Sequence, residues 1–197
     1  MAKRTKAQAA ETREALLRAA REFFTREGFA GASLNAIAAA AGASKGAVFH
    51  HFPGGKEELF VEVWTQLQKE MDGEAAAGAI AGRSREDPYA AFLAGCRVYF
   101  DWTQRADYRR VVLIDGPSVL GMARWHDLDF ELGKDNITRG TQYLASQGYF
   151  PMDLARPAAI LLQAALNGAG FALAAEHPDV TPEEAFDTFE RLLRGLR

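Results

Sequence analysis

The chain has 197 residues, with 23 Lys/Arg, 26 Asp/Glu, one cysteine and a formal net charge of −3. This length allows one large or two small domains with a substantial core. The single cysteine excludes an internal disulfide framework and suits a reducing cytoplasm. Alanine is abundant and β-branched runs are scarce, so we expect an all-α, cytoplasmic protein of about nine helices.

Charge is unevenly distributed along the chain. Residues 1–60 hold nine Lys/Arg against six Asp/Glu, whereas residues 61–197 hold fourteen against twenty. A basic head before an acidic body is typical of a DNA-binding protein whose body does not touch DNA. The first ten residues carry Lys3, Arg4 and Lys6 without an apolar stretch, which argues against a secretory signal. They are either a solvated tail or an arm that follows DNA phosphates.

A first helix is predicted over residues 12–27, with Thr12 as its N-cap. Its apolar residues recur at helical spacing, and Gly28 ends it with Phe29 as the hydrophobic partner of the glycine cap. The apolar stripe consists of Ala15, Leu16, Ala19, Ala20, Phe23 and Phe24.

Residues 33–52, SLNAIAAAAGASKGAVFHHF, predict two short helices joined by a tight turn. Ser33 is the N-cap of the first helix, and Gly42 allows the turn because glycine reaches positive φ without steric cost. Ser44 caps the second helix, over residues 44–51, which carries Val48 inward. This pattern describes a helix-turn-helix, whose second helix lies in the major groove of DNA.

Candidate DNA contacts cluster around that second helix and at the start of the next, near Lys56. Hydroxyl, ammonium and imidazole groups donate to phosphates or base edges, and small residues allow close backbone approach. The predicted contacts are Ser33, Ser44, Lys45, Gly46, Ala47, Phe49, His50, His51 and Lys56. A metal at the adjacent histidines is not expected, because helical neighbours point roughly 100° apart and no further ligand pair lies at metal-binding spacing. We expect no cofactor.

A fourth, long helix is predicted from Lys56 to about residue 79, with Glu57 and Glu58 complementing the helix dipole in its first turn. Residues 12–60 resemble the DNA-binding domain of the TetR family of transcriptional regulators. The resemblance rests on EGF at 27–29, on residues 33–52 and on PGGKEELF at 53–60. Phe49 departs from the tyrosine usual in the family. The resemblance implies a dimer whose body binds small molecules and releases DNA.

The expected domain organisation follows from this resemblance. Residues 1–56 would form the N-terminal arm and the helix-turn-helix domain, and residues 57–197 a helical domain for effector binding and dimerisation. A fifth helix is predicted over residues 89–105, with Pro88 at its first position and Ser84 or Asp87 as the cap. Its aromatic residues indicate either plain core or the wall of an apolar pocket.

The candidate ligand-binding residues come from three predicted helices. They are Phe92, Cys96, Tyr99, Phe100, Trp125, His126, Asn167 and Phe171. Residues 108–114 have the period of a strand, but the helical context favours a sixth helix. We expect a break at residues 115–118, and then a seventh helix to about residue 147 with an interruption near Gly133.

The eighth helix, over residues 156–176, is long and apolar enough to raise the question of a membrane span. Gln163 and Asn167 in its middle favour a buried core or interface helix instead. The ninth helix, over residues 181–196, begins with a capping box at Thr181 and Glu184 and carries an apolar stripe that includes Leu196. These two helices predict a dimer interface in which a four-helix arrangement is completed by two-fold symmetry. Its expected residues are Leu161, Ala165, Gly168, Phe186, Phe189 and Leu193.

The sequence therefore predicts a ligand-responsive DNA-binding regulator, most consistent with a repressor released from a palindromic operator by a small apolar or aromatic effector. A ligand-independent DNA organiser or a protein-partner adaptor is the alternative. An enzyme is not expected, because the sequence holds no nucleophile elbow, no phosphate loop and no metal-ligand cluster.

Overall fold

The computed structural model describes residues 6–84 and 86–195, and within these ranges the chain is helical and contains no strand. This confirms the all-α prediction. The predicted arm residues Lys3 and Arg4, and Leu196, lie outside the described residues. The described helices are α1 (Lys6–Gly31), α2 (Leu34–Ala40), α3 (Lys45–His51), α4 (Gly55–Ala81), α5 (Tyr89–Thr103), a π-helix (Tyr108–Asp115), α6 (Gly116–Leu120), α7 (Met122–Ser146), a 3₁₀ turn (Met152–Leu154), α8 (Ala155–Ala174) and α9 (Pro182–Arg194).

The start predicted for the first helix is wrong. The chain is already helical at Lys6, and the Thr12 hydroxyl donates to the carbonyl oxygen of Gln8 inside α1 rather than capping it. The break at Gly28 is confirmed, because its φ of 69° and ψ of 173° interrupt the helical backbone. Glycine adopts this conformation without the steric cost that a Cβ would add.

The breaks predicted in the middle of the chain are also displaced. No break occurs at residues 115–118, since Gly116 keeps helical angles and Pro117 lies in the first turn of α6, where its missing N–H costs nothing. The helical prediction for residues 108–114 is correct, although the turn is of π type. The interruption expected near Gly133 lies instead at Gly121, whose φ is 79°.

The chain forms two compact units. Among the described residues, unit 1 contains residues 6–67 and 106–121, and unit 2 contains residues 68–84, 86–105 and 122–195. The chain first passes from one unit to the other inside α4. This structural division differs from the boundary at residue 56 expected from the sequence, which is a boundary of function and stays a prediction.

Unit 1 is built on an aromatic core at the end of α1. The Phe24 and Phe60 rings pack edge to face at 5.2 Å, and Phe29 meets Phe60 at the same distance. The π-helix belongs to this unit and is joined to α1 by polar contacts. Arg21 donates twice to Asp107, at 3.1 and 2.8 Å from the same carboxylate oxygen. Helix α2 packs on α1, and α3 packs on α2.

Unit 2 has a core of aromatic and small residues. Phe100 of α5 packs edge to face against Phe186 of α9, with ring centroids 5.6 Å apart. The predicted capping box of α9 is present, with Glu184 N–H donating to Thr181 and Thr181 N–H donating to the Glu184 carboxylate. Such reciprocal bonds satisfy two backbone donors at the helix start.

The apolar stretch Met152–Ala174 has the length and composition of a membrane-spanning helix. Half of its most apolar window is nevertheless buried within the protein. Gln163 and Asn167 are both only 7% exposed, and both donate to Asp129. Buried amides that share a polar partner are features of a core helix, although Ile160 and Leu161 on the same helix are exposed.

Candidate nucleic-acid interface and effector cavity

The helix-turn-helix is held by buried residues on both short helices. Ile37 of α2 and Val48 of α3 are fully buried, and Gly42 makes the turn between the helices with a φ of 64°. The Ser44 hydroxyl oxygen accepts from the Ala47 N–H at 3.2 Å and so caps α3, as predicted. With Val48 fixed inward, the opposite face of α3 points to solvent.

That outward face carries four of the predicted DNA contacts. Lys45, Gly46, Phe49 and His50 are all exposed, and the pairs 45/49 and 46/50 are four residues apart, so they share one side of the helix. The Phe49 ring is 45% exposed although it is large and apolar. Ala47 is half-buried at the edge of this face. A cation, a small residue, an aromatic ring and an imidazole are therefore presented together.

The two serines differ in what their hydroxyls do. Ser33 occupies the N-cap position of α2, but its side chain makes no capping hydrogen bond, and the residue is exposed. Its hydroxyl can thus donate to a phosphate. Ser44 uses its oxygen as an acceptor in the cap, which leaves its O–H proton to donate.

The adjacent histidines pack edge to face, with ring centroids 5.1 Å apart. His50 is exposed, whereas His51 is half-buried, so His50 is the more accessible donor. No group of three or more His, Cys, Asp or Glu side chains able to hold a metal occurs among the described residues.

Lys56 has a structural task that the sequence did not indicate. Its Nζ donates to the carbonyl oxygens of Phe29 at 2.8 Å and Ala32 at 3.1 Å, and it lies 4.5 Å from the centre of the Phe29 ring. These bonds satisfy carbonyl groups where α1 ends. A phosphate contact by Lys56 stays a prediction, and it would use the one ammonium proton that these two bonds leave.

Unit 2 encloses a cavity of about 800 Å³ between α4, α5, α7 and α8. Of the eight residues predicted to bind a ligand, Phe92, Cys96, Tyr99 and Asn167 line it. The wall is mostly apolar. Burial raises the pKa of the Cys96 thiol, so this cysteine acts as an apolar wall residue and not as a reactive thiolate.

The other four predicted ligand residues do not line the cavity. Phe100 packs against Phe186 and Phe189 in the core, and Trp125 packs against Phe171 with centroids 4.9 Å apart. His126 is exposed beside Trp125. These rings belong to core packing and surface positions, which helical periodicity cannot separate from a cavity wall.

A polar cluster closes one side of the cavity around Asp129. This carboxyl is 7% exposed and accepts from Gln68 Nε2 at 2.7 Å, Asn167 Nδ2 at 2.6 Å and Gln163 Nε2 at 3.1 Å. Burial raises the pKa of Asp129, and the three amide donors oppose that shift because they favour the charged form.

Sequence reasoning did not select Asp129, Gln68 or Gln163 as site residues. One signal was available, because Gln163 and Asn167 are four residues apart in an otherwise apolar helix and must share a polar partner if buried. Asp129 lies in line with the apolar residues Trp125 and Leu132, four before and three after it. This spacing turns an acidic side chain toward the core.

A second acidic side chain, Asp72, lines the cavity beside Asn136. Asn136 Nδ2 donates to Asp72 Oδ1 at 2.6 Å and to the Asp72 carbonyl oxygen at 3.0 Å. Burial raises the pKa of Asp72. The cations that line the cavity, Arg83 and Arg139, are both exposed. Asp129 therefore lies in the buried part of the cavity, Asp72 is half-buried, and the two arginines lie at the accessible rim.

The predicted dimer residues divide into two groups. Phe186, Phe189 and Leu193 are at most 7% exposed and fill the core of their own chain. Leu161 and Gly168 are exposed on α8, and Ala165 is half-buried. Their role in an interface stays a prediction.

Residues 89–196 match the family model of the tetracyclin repressor-like C-terminal domain, and residues 16–63 match that of bacterial regulatory proteins of the tetR family. The chain belongs to the TetR family of transcriptional regulators. Regulators of this family bind DNA operators and small-molecule effectors and are dimers. They are not enzymes, which confirms that prediction.

Two regulators of known sequence illustrate the similarity. The HTH-type transcriptional regulator LmrA of Bacillus subtilis is 33% identical over 94 residues, 48% of this chain and 50% of that protein. The regulator AcrR of Shigella flexneri is 42% identical over 74 residues, 38% of this chain and 34% of that protein. The matched regions thus span half or less of these two regulators.

Solved structures of TetR-like regulators resemble the whole chain. A TetR-family regulator from Pectobacterium atrosepticum is 30% identical with a TM-score of 0.80, covering 98% of this chain and 97% of that one. The fatty acid degradation regulator FadR from Bacillus halodurans has a TM-score of 0.71 at 14% identity, covering 92% of this chain and 97% of that one, and shares the fold.

Proposed function

We propose that this TetR-family protein is a cytoplasmic, dimeric repressor that binds a palindromic operator and leaves it when a small, largely apolar effector fills the cavity of unit 2. The observation that carries the DNA-binding part is the outward face of α3. Lys45, Gly46, Phe49 and His50 are exposed on one side of a helix whose other side is anchored by buried Val48.

The proposed DNA contact follows from the chemistry of that face. Lys45 reaches a guanine edge or a phosphate, and His50 donates to a phosphate. Gly46 permits close backbone approach, and the exposed Phe49 ring packs on sugar or on a thymine methyl group. Ser33, whose hydroxyl is not used in capping, donates to a phosphate at the edge of the groove.

The proposed effector response runs through α4. This helix begins at Gly55, directly after the α3 region, and its later residues Gln68, Met71 and Asp72 line the cavity. An effector that fits one position of α4 better than another shifts the population toward that position. Two recognition helices must meet major grooves about one helical turn apart, so a change in their separation lowers operator affinity.

The proposed dimer is supported by exposed apolar residues on α8 and α9. Ile160, Leu161 and Leu192 are 47%, 69% and 57% exposed, which is a high fraction for such side chains. A two-fold axis beside α8 would bring each of these surfaces against its copy.

A selection of bound sequences from a random duplex pool tests this function. We expect a palindromic consensus, bound by a dimer with steep salt dependence. Sequences without two-fold symmetry, or equal binding of a shuffled duplex at physiological salt, would exclude the specific dimeric repressor. DNA binding unchanged by every cavity ligand would favour a ligand-independent organiser.

A further inference from the structure

The side chains that donate hydrogen bonds to the Asp129 carboxylate are all neutral. Its three side-chain partners, Gln68, Gln163 and Asn167, are amides, and none of the ion pairs among the described residues involves Asp129. The exposed His126 acts on Asp129 electrostatically but forms no ion pair with it. A buried carboxylate without a close cationic partner is unusual, because removing a charge from water is costly unless it is paired.

The hydrogen-bond capacity of Asp129 is not filled. A carboxylate offers about four acceptor positions, and three are used by the amide N–H groups. The amide orientation of Gln163 is determined by its surroundings, since exchanging its nitrogen and oxygen would place the oxygen against the carboxylate. One acceptor position therefore remains on Asp129 at the cavity wall.

Gln163 adds a second acceptor at the same place. Its Oε1 is buried and has no hydrogen-bond partner among the described residues, while its Nε2 donates to Asp129. Gln163 is 7% exposed and lines the cavity. Buried polar atoms are almost always hydrogen-bonded, so a vacant acceptor on a residue that lines the cavity indicates a donor on the ligand.

The remaining residues of the cavity wall favour a ligand whose larger part is apolar. Side chains from four helices surround a volume that fits a drug-sized molecule. The apolar lining includes Ala75, Ala79, Phe92, Leu132, Ile137 and Leu166.

From this juxtaposition we infer that the cavity binds the protonated form of an apolar primary or secondary amine, with its N–H groups donating to Asp129 and to Gln163 Oε1. An ammonium group with two N–H bonds fills both acceptors and compensates the buried charge. A carboxylate ligand would instead be repelled by the carboxylates of Asp129 and Asp72. Among the described lining residues, the cations that could pair with it are Arg83 and Arg139, which are exposed. The inference rests on the proposed function for the role of the cavity, and names the chemical class of the effector.

Four matched probes test it by titration calorimetry on the full chain: 4-phenylbutylamine, 4-phenylbutan-1-ol, 4-phenylbutanoate and trimethyl(4-phenylbutyl)ammonium. They share one apolar body and differ at the head group. We expect the amine to bind about tenfold or more tightly than the alcohol, because a charge-assisted hydrogen bond replaces a neutral one. The quaternary ion should bind more weakly than the amine, since it has no N–H. Equal binding of all four, tightest binding of the carboxylate, or no binding of the amine would overturn the inference.

Asp129→Asn removes the charge at nearly constant volume, and Glu131→Gln is the matched control. Glu131 lies on the same helix, its side chain is 64% exposed and it does not line the cavity. The amine preference should disappear in Asp129→Asn and persist in Glu131→Gln, with circular dichroism reporting the fold of both. An amine preference retained by a folded Asp129→Asn chain would contradict the assignment.

An operator-release assay separates this inference from the proposed function. Amine binding that depends on Asp129 but leaves operator occupancy unchanged supports the amine site and refutes the effector response. Operator release by the alcohol or the carboxylate, but not by the amine, preserves the effector response and overturns the amine site.

Discussion

The backbone N–H of Phe29 donates to Asp115 Oδ2 at 2.6 Å, which joins the end of α1 to the end of the π-helix within unit 1. Asp115 is 8% exposed, and the same oxygen accepts from Arg110 Nε at 3.2 Å. The buried Asp115 carboxyl thus accepts hydrogen bonds from two donors. One is the Phe29 N–H, which follows the interruption of the helix at Gly28, and the other is the Arg110 guanidinium group.

Replacing Asp115 with alanine should lower the free energy of unfolding by about 1–3 kcal/mol, because the Phe29 N–H loses its acceptor in a part-buried place. Urea denaturation measures this. Asp127→Ala is the control, since Asp127 is exposed on α7. Equal stability of the two variants would show that the Phe29 bond contributes nothing net.

Replacing Gly28 with alanine should also destabilise the chain, by about 1–3 kcal/mol. Gly28 has a φ of 69°, and an added Cβ would lie 2.0 Å from Arg110 Nη2. The arginine would have to move and lengthen its bond to Asp115. Gly31→Ala is the matched control, because its nearest neighbour would be Glu27 Cβ at 3.5 Å, an ordinary contact. Thermal denaturation of both variants distinguishes a special backbone position from a general glycine effect.

The two lysines of unit 1 should separate DNA affinity from stability. Lys45→Ala should weaken operator binding and leave the free energy of unfolding unchanged, since Lys45 is exposed on the outward face of α3.

Lys56→Ala should lower the free energy of unfolding by about 1–2 kcal/mol, because two carbonyl oxygens lose an ammonium donor. Fluorescence anisotropy with operator DNA and urea denaturation give the two readouts. Lys69→Ala, an exposed charge on α4, is the control for net charge. Operator binding unchanged in Lys45→Ala would mean that another helix reads the DNA.

The ion pair between Asp87 and Arg194 should make stability depend on pH in the acid range. Arg194 donates to Asp87 Oδ2 at 2.7 Å, and this hydrogen bond holds the pKa of Asp87 below its ordinary value of 3.8. A lowered folded-state pKa contributes stability above pH 3.8, and that stability is lost as the pH falls through the folded value.

Asp87→Asn should therefore be less stable than the native chain at neutral pH by about 0.5 kcal/mol, a small amount because both side chains are more than a third exposed and solvent screens the pair. Arg194 also forms an ion pair with Glu190, so in the Asp87→Asn variant it keeps one carboxylate partner. Chemical denaturation across the acid range should show the difference shrinking below pH 3.8. If the difference in unfolding free energy between the two chains does not change with pH, the ion pair is not its cause and a change in packing is.

Local patterns in the sequence predicted most of unit 1. Gly42, Ser44 and Val48 determine the turn, the cap and the inward face of α3, because glycine conformation, capping and helical periodicity are properties of neighbouring residues. The same reasoning found the capping box at Thr181. It failed at Thr12 and near Gly133, where a residue type compatible with a helix end lies inside a helix supported by tertiary packing.

By itself the sequence determined the helical class, the helix-turn-helix and the family resemblance, since each depends on spacing along the chain. Only the tertiary structure decided that Lys56 holds the end of α1, that Trp125 and Phe171 are core rings, and that Asp129 gathers three amides at a cavity wall. These are contacts between residues far apart in the chain. Helical periodicity turns a side chain inward, but only the packing of other helices determines whether that side chain meets another residue or an open cavity.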